Sequence, residues 1–202
     1  APARNLTARF TWFDNRVENP VSNVTLTPTL AQKQNLGRTR IWGVQSDVEY
    51  LIGKDWRVSG GYLYDQAKVT DGGVANANLV GKYLAQVPVH RGSLQASYNN
   101  PKVINLSLGV QFAGLQYNDD QNVQFISPAT LAAAGYDTGI KAGLPGYTSV
   151  DLLASRDLNS RIQVFFGAQN LLDRAYFVQT NPSTVGTPRM ITGGIHVRFS
   201  GK

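Results

Sequence analysis

The sequence predicts an all-β chain, an antiparallel up-and-down transmembrane β-barrel segment of about eight strands. Three observations carry that expectation. Apolar and polar residues alternate along segment after segment, the connections are short and long by turns, and aromatic residues gather at the segment ends.

The first segment sets the pattern, with Leu6, Ala8, Phe10 and Trp12 on one parity and Thr7, Arg9 and Thr11 on the other. Successive side chains of a strand point to opposite faces, so one face suits an apolar medium and the other suits water. In the second segment Val44, Val48, Tyr50 and Ile52 alternate with Gln45, Asp47, Glu49 and Leu51. In the third, Trp56, Val58, Gly60, Tyr62 and Tyr64 alternate with Arg57, Ser59 and Asp65, and Leu94, Ala96 and Tyr98 then alternate with Ser93, Gln95 and Ser97. Ile104, Leu106, Leu108, Val110 and Phe112 interleave with Asn105, Ser107, Gly109 and Gln111, a period of two that no amphipathic helix uses. Val150, Leu152 and Ala154 oppose Asp151 and Ser155, and Ile162, Val164, Phe166 and Ala168 oppose Gln163 and Gln169. The last segment sets Ile191, Ile195, Val197 and Phe199 against Thr192, His196 and Arg198, and it stops at the aromatic.

Alternation alone fits a soluble sandwich binding module as well as a barrel, because both have one apolar face. The connections separate the two. Gly53-Lys54-Asp55, Asn99-Asn100-Pro101-Lys102 and Asp157-Leu158-Asn159-Ser160 are tight turns built from residues that tolerate turn geometry. Between them lie long connections over 19–37, 70–88, 118–146 and 181–188. In a meander this order puts every short turn at one rim and every long loop at the other, as in outer-membrane barrels with periplasmic turns and extracellular loops. Tyr50, Trp56, Tyr98 and Phe199 fall beside the short turns or the terminus, and Trp42, Tyr64, Phe112, Tyr117 and Tyr147 fall toward the long loops. Those are the positions of two interfacial girdles. In the longest connection a short helix is expected over 127–134, with Ser127 as N-cap and Pro128 at its first position.

Composition narrows the function classes. No run of about 18 apolar residues occurs, so no helix of this chain can cross a bilayer and only a closed set of strands could. The absence of cysteine removes disulfides and thiolate metal sites. The 19 Lys and Arg exceed the 13 Asp and Glu, giving a net charge of +6. These cations are scattered singly instead of clustering with aromatics, so no nucleic acid partner is expected. Only His90 and His196 could act as imidazole bases, and neither has a carboxylate or serine at motif spacing, so no catalysis, metal site or cofactor is expected. The start, Ala1-Pro2-Ala3-Arg4, is neither a Met start nor a signal core, which points to a processed or truncated chain or to part of a larger protein.

Five short motifs occur in order. They are Asn35-Leu36-Gly37-Arg38 running into Gly43-Val44-Gln45 and Tyr50, Val87-Pro88-Val89-His90-Arg91, Leu144-Pro145-Gly146-Tyr147, Asn170-Leu171-Leu172-Asp173-Arg174-Ala175-Tyr176, and Thr187-Pro188-Arg189. Together they resemble the C-terminal barrel portion of TonB-dependent outer-membrane receptors, the family that imports siderophores, cobalamin and similar large nutrients. Gln45 stands where the family usually has Glu, and Leu172 where it usually has Phe. Thr192, Gly194, Val197 and Phe199 resemble the family's barrel-assembly signal, although Ser200-Gly201-Lys202 follow the aromatic with which such chains usually end.

The resemblance implies that residues 1–202 are a single barrel segment, the C-terminal part of a larger plugged barrel whose plug domain this sequence lacks. It implies a Gram-negative outer-membrane location and energised uptake of a ferric siderophore or similar large nutrient. The implied partners are outer-membrane lipid, lipopolysaccharide, the barrel-assembly machinery, a plug, TonB and a ferric chelate. Arg9, Asp47, Glu49, Arg57, Arg91, Asp151, His196 and Arg198 would line the lumen, mainly as charge pairs along a wet wall, Glu49 with Arg57 among them. Arg91, Tyr117 and Tyr136 are the expected substrate contacts, among loop aromatics that include Tyr83, Phe125 and Phe177 and cations that include Lys82 and Lys141. A self-contained eight-stranded outer-membrane barrel, serving as anchor, adhesin or small-solute pore, is the alternative.

Overall fold

The structure is a computed structural model that describes residues 5–27, 30–123, 143–180 and 183–199. Its strands are β1 (Leu6–Glu18), β2 (Val21–Thr27), β3 (Leu30–Asn35), β4 (Arg38–Ile52), β5 (Trp56–Asp71), β6 (His90–Asn100), β7 (Ile104–Ala113), β8 (Tyr147–Asp157), β9 (Ile162–Gln169), β10 (Phe177–Thr180), β11 (Ser183–Val185) and β12 (Met190–Val197). Eight of them form one antiparallel meander in the order β1-β4-β5-β6-β7-β8-β9-β12, and β2-β3 and β10-β11 are separate hairpins within long connections. Among the described residues β1 pairs only with β4 and β12 only with β9, so the sheet is an open one.

The register sorts side chains as the alternation requires. Leu6, Tyr50, Val58, Ala96, Leu108, Leu152, Ala168 and Ile191 stand directly opposite one another in a single row across all eight strands. Directly opposed residues share a face. The adjacent row on the other face, Thr7, Glu49, Ser59, Gln95, Gly109 and Asp151, is polar or glycine throughout. The polar face is the concave one, with a cavity of 670 Å³ lined by Arg9, Glu49, Ser93, Gln111 and Asp151 among others. On the convex face Phe10 is 73% exposed and Ile195 66%, because no second layer packs there among the described residues. A sandwich would cover that face; an apolar surface this extended calls for lipid or a partner.

The short turns close as expected. Gly53 takes the left-handed φ of 64° at the β4–β5 turn, and Asn159 Oδ1 accepts from the Arg161 and Ile162 amides at 2.9 and 3.0 Å to fold the β8–β9 turn. At the opposite rim β1, β4 and β5 run on for 13, 15 and 16 residues, well past the apolar rows. The loops pack onto these extensions. Val24 of β2, Leu36, Val69 of β5 and Leu79 form the buried cluster, with Leu84 against it. The conventional core among the described residues therefore lies in the loop layer, while the eight-stranded sheet itself is a single layer.

Several boundaries differ from the sequence expectation. The connection expected over 70–88 begins two residues later, because Asp71 still pairs with Arg38. The motif at 170–176 lies beyond the end of β9, since Asn170 turns the chain with a φ of 46°. The last strand ends at Val197, and Phe199, 90% exposed, lies past it. Tyr136, Phe125, Lys141, the helix expected over 127–134 and Ser200-Gly201-Lys202 fall outside the described residues.

Candidate functional site

A second cavity of 760 Å³ lies higher on the concave face, where the strands meet the long loops. Arg91 of β6 stands there opposite Leu63 of β5 and Ala113 of β7. Small neighbours leave its side chain room, since Gly61, Ser93 and Ala113 share the lining with it. No carboxylate comes within ion-pair distance of its guanidinium among the described residues, although its charge acts on Asp65. Asp65 is buried, and its Oδ1 has no hydrogen-bond partner among the described residues.

Four glutamines share the cavity with Arg91. Gln45, Gln86, Gln111 and Gln116 all line the same cavity, together with Tyr147. Gln86 is held at a φ of 62°, a conformation that costs a non-glycine residue energy, and its amide donates to the Tyr117 carbonyl at 2.6 Å. Gln116 exchanges backbone hydrogen bonds with Leu144 at 2.7 and 3.2 Å, and its Nε2 donates to the Val178 carbonyl at 2.9 Å. Three connections are thereby latched to one another behind the cavity. Tyr147 stacks on Tyr176 with ring centroids 4.2 Å apart. Burial raises the Tyr176 hydroxyl above the usual phenol range, with Tyr147 and Asp151 adding to the effect.

The expected contacts separate here. Arg91 lines the cavity, but Tyr117 does not. Tyr117 stacks on Tyr83 at 5.9 Å, and the Lys68 ammonium lies 4.4 Å over the Tyr83 ring. Lys68 shares the parity of Tyr64 and so belongs to the convex side. Tyr117 touches the cavity lining through its carbonyl, which accepts from the Gln86 backbone amide. Sequence reasoning missed Gln86 and Gln116, because nothing local marks a residue whose role is to bridge loops.

Lower on the concave wall two ion pairs form among the described residues. Arg57 Nε lies 3.9 Å from Glu49 Oε1 and Arg198 Nη2 lies 3.9 Å from Asp157 Oδ1, whereas Arg9 faces Asp47 only across the register. Such exposed pairs are worth about 0–1 kcal/mol each, so they tune the wall's polarity more than its stability.

The five motifs prove to be joints of the fold. Pro88 lines the cavity, while His90 turns to the convex face and meets the Tyr62 hydroxyl at 2.7 Å through Nδ1. Gly43 lies so close to β5 that a Cβ there would fall 2.0 Å from the Tyr64 carbonyl oxygen. Asn170 is a buried staple. Its Nδ2 donates to the Arg174 and Thr187 carbonyls at 2.8 and 2.9 Å, and its Oδ1 accepts from the Arg174 amide at 3.0 Å. Asp173 pairs with Arg189 at 3.2 Å, which ties this motif to the one before the last strand. On β12, Thr192 and Gly194 face the concave side and Val197 the convex side. Gly194 is covered by the Phe165 ring, 2.8 Å from where a Cβ would be.

Comparison with known proteins agrees with this architecture. The family model described as TonB dependent receptor-like, beta-barrel, matches residues 2–171. The chain is 28% identical over 171 residues to the metal-pseudopaline receptor CntO of Pseudomonas aeruginosa, covering 83% of this chain and 22% of that protein. It is 22% identical over 180 residues to the probable TonB-dependent siderophore receptor PiuA of Acinetobacter baumannii, covering 85% and 22%. Among solved structures it superposes on PiuA of Acinetobacter baumannii with a TM-score of 0.70 at 18% identity, covering 96% of this chain and 26% of that one. The ferric yersiniabactin uptake receptor FyuA of Yersinia pestis gives a TM-score of 0.72 at 14% identity, covering 98% and 28%. The chain thus spans under a third of the length of these relatives, and the family it matches is one of receptors, not enzymes. With an antiparallel meander that is apolar outside and polar inside, and a family match over most of its length, this chain belongs to the TonB-dependent receptors, as a segment of their β-barrel.

Proposed function

We propose that the chain is the C-terminal barrel segment of an outer-membrane receptor that takes up a ferric siderophore or a similar large metal chelate with energy delivered through TonB. The observation that carries this reading is the Arg91 cavity, which holds a guanidinium without an ion-pair partner among the described residues and is lined by four glutamines at the loop end of the concave wall. A cation with fork geometry suits carboxylate, catecholate or hydroxamate oxygens, and amides supply further donors and acceptors. Relatives named for metal-pseudopaline and ferric chelates support the same class.

In this reading Arg91 contacts the chelate, Tyr117 positions Gln86 through its carbonyl, and Tyr136 adds an outer contact from the longest connection. The plug fills the lumen below. The convex face meets outer-membrane lipid and lipopolysaccharide, and Thr192, Gly194, Val197 and Phe199 are read by the barrel-assembly machinery. The test is equilibrium binding of a panel of ferric chelates to the complete receptor, with Arg91→Ala and Arg91→Lys beside the parent. Loss of a charge-assisted bond of about 1.5–3 kcal/mol predicts at least tenfold weaker binding for Arg91→Ala and a partial recovery for Arg91→Lys. A complete receptor that binds none of the chelates, or an Arg91→Ala variant that binds as the parent does, would overturn the proposal.

A further inference from the structure

The convex face changes character above its upper aromatic rim. Trp42 and Tyr64 meet edge to face at 5.7 Å. One step further up the same face Arg16, Arg40 and Lys68 are direct cross-strand partners on β1, β4 and β5. Adjacent strands lie about 4.8 Å apart, so the three cations fall within a strip about 10 Å wide. Asp14 takes Arg40 Nε and Nη2 at 2.8 and 2.7 Å, which orients the guanidinium and leaves its Nη1 edge open. Arg16 is 75% exposed and only 4.0 Å from Asp14 at its nearest, and Lys68 is steadied over the Tyr83 ring.

Three cations against one carboxylate leave two positive charges in this strip. In the row above, Arg38 faces both Glu18 and, at 3.8 Å, Asp71, so that row is net negative by one and the positive excess lies at the level of Arg16, Arg40 and Lys68. That level is set by the apolar rows beneath it. Ile52 and Trp42 are ten residues apart on β4. At about 3.4 Å per residue and a tilt of about 40° the strand climbs about 26 Å between them, against an apolar band about 25 Å tall in outer-membrane barrels. The cations therefore stand at headgroup depth, immediately above the hydrocarbon.

We infer that Arg16, Arg40 and Lys68 form a binding site for the phosphate groups of a phosphorylated lipid headgroup in the outer leaflet. The inference rests on the reading that the convex face meets lipid. The two guanidinium groups offer fork-shaped donors to phosphate oxygens, Lys68 adds a point charge, and the Trp42–Tyr64 pair below meets the start of the acyl region.

The test uses the complete receptor extracted from outer membranes into mild detergent, with lipid-bound phosphate per receptor measured by phosphorus assay and native mass spectrometry. The parent retains phosphorylated lipid, and Arg16→Gln/Lys68→Gln, which spares the Asp14–Arg40 pair, retains about tenfold less. Lys54→Gln/Lys102→Gln at the short turns retains as much as the parent. Equal retention by the Arg16/Lys68 variant, or a parent that retains none, overturns the site. Displacement of the lipid by millimolar inorganic phosphate also overturns it, because the site would then take free phosphate. Failure of the underlying reading shows separately, as a receptor absent from the outer-membrane fraction.

Discussion

Replacing Asn170 with alanine removes a staple from the connection between the last two strands of the sheet. The side chain is 2% exposed and makes three hydrogen bonds, to the Arg174 carbonyl, the Thr187 carbonyl and the Arg174 amide. At about 1 kcal/mol net for each, their loss costs about 3 kcal/mol. The residue also sits at a φ of 46°. Asparagine tolerates that region, whereas alanine there costs about 1 kcal/mol more. The sum of about 4 kcal/mol falls on local opening, because the bonds link residues within 170–187, and it raises the open population of that connection about a thousandfold. The assay is hydrogen exchange by mass spectrometry on the complete receptor in detergent, following peptides from 170–189. Asn170→Gly relieves the φ cost and should exchange about fivefold more slowly than Asn170→Ala, while still far faster than the parent. The reasoning fails if Asn170→Ala exchanges within threefold of the parent, or if the glycine variant opens as readily as the alanine one.

Other substitutions test the two faces and the terminal strand. Val110→Arg puts a charge on the convex apolar row and should lower folding stability in bilayers by about 2–4 kcal/mol, whereas Gln111→Arg on the concave face should cost under about 1 kcal/mol in the same denaturant titration. Gly194→Ala drives a Cβ into the Phe165 ring and should slow assembly into a heat-modifiable barrel; Phe165→Ala should restore the rate if packing is the cause, and should not if the position is read by the assembly machinery. Asp173→Asn breaks the ion pair with Arg189, whose side chains are 54% and 48% exposed, and should cost under about 1 kcal/mol in unfolding experiments, less still in high salt.

The wall of this protein was legible because a period of two has a single structural meaning. Once Leu106, Leu108 and Val110 share a parity with Leu152 and Ala154, the pairing that keeps them on one face admits only even shifts of register, and the short turns select among those. The sorted connections then oriented the sheet. The loop layer did not yield in the same way. Val24, Leu36, Val69 and Leu79 come from three stretches of chain, and their burial depends on β5 continuing past the apolar rows as a platform. Composition calls 70–88 a loop, and it cannot show that the strand before it carries the packing surface.

The site was half legible for a related reason. Arg91 could be placed because its parity on β6 fixes its face and its nearness to a long connection fixes its height. Tyr117 lies beyond the end of β7, where parity no longer decides direction, and its ring turned out to join Tyr83 and Lys68 on the convex side. An aromatic and a cation in a loop are equally suited to a ligand, to a headgroup and to each other. The glutamines carry this further, since an amide has no intrinsic address. Gln86 and Gln116 matter because their backbone and side-chain bonds hold neighbouring connections in register around Arg91. The cavity's shape is thus set by latches between loops, so substitutions at Gln116 should change ligand preference before they change the strength of the Arg91 contact itself.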